Sequence, residues 1–107
     1  MSSSHLPPEQ PLVLREQLPL PRPYVAPQTP VERRLAEIWC SVLSMDCIGV
    51  DDRYNDLGGD SFFAVTILHR IEEAFRVTLP LGIFAEAPTI AMLATKIDSL
   101  VRPNGGV

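Results

Sequence analysis

The chain has 107 residues, 46% apolar and 21% charged, with a formal net charge of −4. That length suits one domain, and no apolar run approaches the roughly eighteen residues that a membrane-crossing helix needs. Lys96 is the single lysine beside eight arginines, and the acidic balance leaves no cationic surplus to displace counterions from nucleic acid. Neither a membrane nor a nucleic acid is an expected partner. The first residues lack the basic and apolar regions of a secretory signal. Cys40 and Cys47 have no CxxC spacing and no histidine partner. They read as reduced thiols of a cytoplasmic protein, not as a disulfide or a metal site.

Eight of the eleven prolines fall within residues 1–30, most densely from Pro19 to Pro30. Proline removes backbone donors and biases its predecessor toward extended backbone, which bars helix and central strand alike. Residues 1–27 therefore read as a proline-rich linker or tail that adds little to the stability of the folded part. Residues 103–107 read as a flexible C-terminal tail, since Pro103-Asn104-Gly105-Gly106 breaks any preceding helix. Residues 28–102 are the foldable part.

Thr29 can cap a first helix, with Pro30 in the first turn and Glu32 completing a capping box. Val31, Leu35, Ile38, Trp39 and Val42 recur at helical spacing to about Leu43. A second helix begins at or beside Ser61. Its inward stripe is read as Ala64, Val65, Leu68, Ile71 and Phe75, and it ends before Pro80. Leu81 to Ala85 suits one short helical turn. Thr89 caps a last helix whose inward positions are Ile90, Leu93, Ala94, Ile97 and Val101. No segment alternates as a strand does. The fold class is all-α, a small three- or four-helix bundle with a long loop between its first two helices.

That loop, Ser44 to Asp60, is long for so small a domain, and long loops are more often functional than decorative. Ile48, Val50, Tyr54 and Leu57 can pin it to the bundle. Its polar side carries Asp46, Asp51, Asp52, Asp56 and Asp60 against Arg53, an acidic and solvated rim. The most informative string is Asp52-Arg53-Tyr54-Asn55-Asp56-Leu57-Gly58-Gly59-Asp60-Ser61-Phe62-Phe63. Two glycines release the backbone, and Ser61 comes next but one, where a helix starts. There its hydroxyl can project into solvent, and the first-turn N–H groups favour a phosphate. The plainer reading is that Asp60 or Ser61 is only the N-cap.

Other chemistries fail on the same residues. A nucleophile elbow needs a second glycine where Phe63 stands. His69 lies eight positions along the helix, about 12 Å away, beyond the reach of a general base. A calcium loop starting at Asp52 would put Tyr54 and Phe63 at ligand positions. No catalytic pair is visible in the chain, which disfavours a serine hydrolase.

Leu57-Gly58-Gly59-Asp60-Ser61, after Asp52-Arg53-Tyr54, resembles the core motif of the thiolation, or peptidyl carrier, domains of nonribosomal peptide synthetases. The resemblance spans most of residues 24–101. Tyr24-Val25-Ala26-Pro27-Gln28-Thr29-Pro30 with Leu35-Ala36-Glu37-Ile38-Trp39 is similar to the family's entry into its first helix. Leu79-Pro80-Leu81 and Ala87-Pro88-Thr89-Ile90 are similar to its exit. The resemblance implies an acyl-carrier-like fold and 4′-phosphopantetheine, taken from coenzyme A and attached to Ser61 with Gly59 and Asp60 flanking it. An aminoacyl, aryl or peptidyl group would ride on that arm as a thioester, the chain itself being a carrier and a non-enzyme. It implies as partners a phosphopantetheinyl transferase, an adenylation domain, and condensation, epimerisation or thioesterase domains. Leu18-Pro19-Leu20-Pro21 resembles the linker element that docks on the adenylation domain. The partner-facing surface is expected to use Phe62, Val65, Thr66, His69, Ile83 and Phe84, with Phe62 largely exposed.

The chain departs from the pattern in places. Asn55 stands where a second aromatic is usual, Phe62 where leucine is usual, and the aromatic at Phe84 is shifted by one. Asp60 replaces the frequent histidine, which resembles polyketide and fatty-acid carriers and also those peptidyl carriers that feed epimerisation domains. No lysine precedes the linker, so the chain reads as an excised segment or a free-standing carrier, monomeric when isolated. The alternatives are an acyl carrier of a polyketide-type or hybrid pathway, and an unmodified helical interaction module. A helix-turn-helix is disfavoured by acidic charge beside the candidate turn.

Overall fold

The structure, a computed structural model, describes residues 12–101. The expectations for residues 1–11 and 102–107 lie outside the described residues. Among the described residues four helices occur in order: α1 (Pro30–Leu43), α2 (Ser61–Phe75), α3 (Ile83–Glu86) and α4 (Ile90–Val101). Short 3₁₀ turns occupy Arg15–Gln17 and Tyr54–Leu57. Among the described residues the β pairing is one isolated parallel bridge, Val13 with Met45. No described helix is long and apolar enough to cross a membrane.

The start of α1 agrees with the sequence closely. Thr29 Oγ1 accepts from the Glu32 N–H at 3.0 Å, and the Glu32 carboxylate accepts from the Thr29 N–H at 3.2 Å. The capping box thereby satisfies donors that the first turn would otherwise leave orphaned. Leu35, Ala36, Ile38, Trp39 and Leu43 face the core, and Ser44 closes the helix in the left-handed region at φ 58°. On α4, Ile90, Leu93, Ala94 and Ile97 are buried as expected. Val101 is exposed, contrary to the expected stripe, because it lies in the final turn, beyond the last buried position at Ile97.

The face of α2 requires a correction. Ala64, Ile67 and Ile71 are buried, Leu68 and Phe75 are half-buried, and Val65 is 57% exposed. Ala64 and Ile71 are inward as expected, and the stripe turns only partly, with Ile67 taking the place expected of Val65. Apolar side chains occupy most of the first half of this helix, so periodicity alone does not select the buried edge. Packing against α1 selects Ile67 and leaves Phe62, Val65 and His69 together on the outer face, at i, i+3 and i+7.

The N-terminal segment also differs from expectation. Residues 12–27 pack on the bundle as a strap, with Val13, Leu18, Leu20 and Val25 against the core. The Val13 N–H donates to the Ser44 carbonyl at 2.7 Å, and the Val50 N–H donates to the Val25 carbonyl at 2.9 Å. Proline forbids a continuous ladder but permits isolated backbone bonds and apolar packing. The loop after α1 is pinned by Ile48, Val50, Tyr54 and Leu57, all buried as expected. Its acidic side is not wholly solvated, because Asp52 is buried and ion-paired with Arg15 of the strap.

Candidate functional site

The turn before α2 is built by two glycines with different tasks. Gly58 has φ 83°, a backbone that side chains other than glycine or asparagine rarely adopt. Gly59 lies directly against the Tyr54 ring, and a Cβ there would overlap it. Tyr54 is buried, with its ring centroid 4.5 Å from Phe84 and 5.4 Å from Trp39. Its hydroxyl donates to the Asp60 carbonyl at 2.7 Å. Burial, with the nearby Asp60 carboxylate adding to it, pushes that hydroxyl up to about 12.

Asp60 then caps α2, its carboxylate accepting from the Phe63 N–H at 3.0 Å. The capping role left open between Asp60 and Ser61 thus falls to Asp60. Ser61, the first helical residue, is exposed, and the cap leaves its hydroxyl unused. A shallow recess of about 260 Å³ opens beside it, lined by Tyr54, Asn55, Leu81, Phe84 and Ala85 among others.

Phe62 is 74% exposed, Val65 lies on the same outer face, and the His69 side chain is 70% exposed. Thr66 is half-buried, and its hydroxyl donates to the Phe62 carbonyl at 3.3 Å. Phe84 is half-buried over Tyr54. Ile83 is corrected from surface to core: it is 4% exposed, because the first residue of the four-residue α3 points into the bundle. Leu81 is a surface residue that the sequence reading missed. It is exposed beside the Ser61 recess, and its place between Pro80 and Gly82, outside any helical period, was the available signal.

His69 Nδ1 faces Glu73 at 3.9 Å along the same helix. Among the described residues no cluster of three His, Cys, Asp or Glu could hold a metal. Cys40 and Cys47 are free and half-buried, and burial pushes the Cys40 thiol up to about 11, so it is protonated at neutral pH. What the arrangement provides is a displayed hydroxyl on a rigid turn, beside a recess and an apolar helix face.

Residues 33–97 match the family model described as a phosphopantetheine attachment site. The chain is 46% identical over 74 residues to gramicidin S synthase 2 of Brevibacillus brevis, covering 69% of this chain and 2% of that synthase. It is 44% identical over 72 residues to a dimodular nonribosomal peptide synthase of Bacillus subtilis (strain 168), covering 67% of this chain and 3% of that synthase. The chain therefore spans only a small part of the synthases it matches. Among solved structures, an active-site mutant peptidyl carrier protein superposes with a TM-score of 0.75 at 32% identity, covering 81% of this chain and 97% of the other. The chain matched in the complex of the phosphopantetheine transferase Sfp with coenzyme A and a peptidyl carrier protein gives 0.69 at 37% identity, covering 71% and 99%.

Proposed function

The chain belongs to the phosphopantetheine-attachment family, as a carrier domain of the nonribosomal peptide synthetase kind, and from that premise we propose that Ser61 is its attachment residue. The observation that carries this reading is the division of labour at the turn. Asp60 takes the cap, so Ser61 is held at a fixed place with an uncommitted, exposed hydroxyl. The adjoining recess and the open approach fit a slender arm. 4′-Phosphopantetheine, when bound, supplies a thiol that carries an acyl group as a thioester. In the attachment step the Ser61 oxygen would bond to the phosphorus nearer the pantetheine. The phosphoanhydride of coenzyme A would break, adenosine bisphosphate would leave, and the serine proton would pass to a base of the transferase.

The chain itself would catalyse no step. Carrier domains are in general not catalysts, and His69, the histidine among the described residues, faces Glu73 along α2. Its partners would be a phosphopantetheinyl transferase, an adenylation domain, and condensation, epimerisation or thioesterase domains. They would meet the face formed by Phe62, Val65, Thr66 and His69, with Phe84 and Leu81 across the recess. Residues 28–102 would be the carrier unit in the cytoplasm, with 12–27 as a strap upon it. Intact mass after incubation with coenzyme A and a broad-specificity transferase tests the assignment. Wild type should gain one phosphopantetheine, and Ser61→Ala none while keeping its helical spectrum. Modification of the Ala variant would remove Ser61 from this role.

A further inference from the structure

The strap and the site loop meet at one buried ion pair. Arg15 Nε and a terminal guanidinium nitrogen donate to the two Asp52 carboxylate oxygens, both at 2.7 Å. The two side chains are only 13% and 1% exposed. Asp52 also accepts from the Gly49 N–H at 2.8 Å, while the Arg15 backbone N–H donates to Asp46 at 2.8 Å. The guanidinium donates further to the Arg22 carbonyl at 3.0 Å and lies 5.3 Å from the Tyr24 ring centroid. One strap residue thus ties together both ends of the 46–52 segment. Two residues on, the Tyr54 N–H donates to the Pro88 carbonyl at 2.8 Å and its hydroxyl holds Asp60, the neighbour of Ser61.

We propose that Arg15 is a positioning residue for modification at Ser61, acting through Asp52 to hold the site loop in the shape that a transferase reads. The inference rests on Ser61 being the attachment residue. A buried bidentate pair broken from one side leaves a desolvated carboxylate with too few donors, and the loop must open to hydrate it. Loop movement passes to Asp60 through Tyr54 and alters the surface around Ser61 without touching the serine. Cys47 is half-buried and lines a recess with Tyr24 and Pro27 of the strap, so a strap that lifts would widen the approach to its thiol, and alkylation of Cys47 reports whether the strap is seated.

The test uses the full chain as the varied substrate of a broad-specificity transferase with saturating coenzyme A, at a temperature where every variant is folded by circular dichroism. Arg15→Ala should raise KM for the chain by about tenfold with kcat within about twofold, and quicken Cys47 alkylation. Arg15→Lys, which keeps the charge but loses the fork, should recover both only in part, with KM left about threefold above wild type. Arg15→Ala with Asp52→Asn should recover KM while Cys47 stays reactive, because the stranded charge is gone and the strap is still loose. A freed Cys47 with unchanged KM overturns the proposal, and so does no change in either. If Arg15→Ala does not fold, Arg15→Lys decides: an unchanged KM overturns the proposal, and a rise of about threefold supports it. Wild type that is never modified at Ser61 sinks the attachment reading and the positioning role together. Faster Cys47 alkylation in Arg15→Ala would then still show that the pair seats the strap.

Discussion

The Tyr54 hydroxyl donates to the Asp60 carbonyl at 2.7 Å, and this bond ties the buried aromatic cluster to the residue preceding Ser61. Tyr54→Phe keeps the ring against Phe84 and Trp39 but strands the Asp60 carbonyl. The expected loss is about 1 kcal/mol, read as a fall in the thermal midpoint of about 4–8 °C.

The same residue predicts a stability slope at alkaline pH. Folding raises the Tyr54 hydroxyl from 10.0 to about 12. Between those values the unfolded chain has released a proton that the folded chain keeps. The stabilisation is therefore full below the unfolded value and is lost as pH rises through the folded one. Urea unfolding at about pH 9 and about pH 11 should show wild type losing stability, and Tyr54→Phe losing less. Equal losses would mean that other groups set the slope.

At the glycine pair, Gly59→Ala should be the more damaging change. Its methyl group would overlap the Tyr54 ring, which is packed between Phe84 and Trp39 and has little room to retreat. We expect a loss of about 1–3 kcal/mol by chemical unfolding. Gly58→Asn should cost less, because nothing crowds that position and asparagine tolerates positive φ. The reverse order would place the constraint in the backbone and not in the ring contact.

A chain beginning at Gln28 should be much less stable than the full chain, the opposite of what proline content suggests. It loses the packing of Val13, Leu18, Leu20 and Val25 and the Arg15–Asp52 pair. Losing the burial of four apolar side chains together with that pair should lower the midpoint by more than about 10 °C. Adding Asp52→Asn to the shortened chain should restore part of that. A melting point unchanged by the truncation would show that the strap contributes nothing.

What was legible in the sequence was local. The capping box at Thr29 and Glu32 is read from four adjacent residues, and the Gly-Gly-Asp-Ser string carries its own turn and helix start. The Arg15–Asp52 pair was not legible, because its members stand 37 positions apart and neither belongs to a periodic pattern. Proline density misled in the same place: it correctly denies a long helix or a full strand to residues 12–27 but says nothing about whether they pack. The phase of α2 failed for another reason. With apolar residues on most of its circumference, only the neighbouring helix decides which of them is buried.

That phase supplies the sharpest test of the partner face. Phe62 is 74% exposed and Ile67 is fully buried, although both are large and apolar and lie on one helix. Ile67→Ala should cost about 2–5 kcal/mol, whereas Phe62→Ala should stay within about 0.5 kcal/mol of wild type. If Phe62 is a contact for the transferase, its removal should lower kcat/KM for arm attachment by about tenfold or more at unchanged stability. The folded fraction of Ile67→Ala should be modified at nearly the wild-type rate. Phe62 and Val65 form an exposed apolar patch on one helix face, and the position of Phe62 one residue from Ser61 puts it within the footprint of any enzyme acting there. Should Phe62→Ala be modified as fast as wild type, Val65 and Leu81 become the apolar contacts to substitute next, since Val65 is exposed on the Phe62 face of α2 and Leu81 is exposed across the recess.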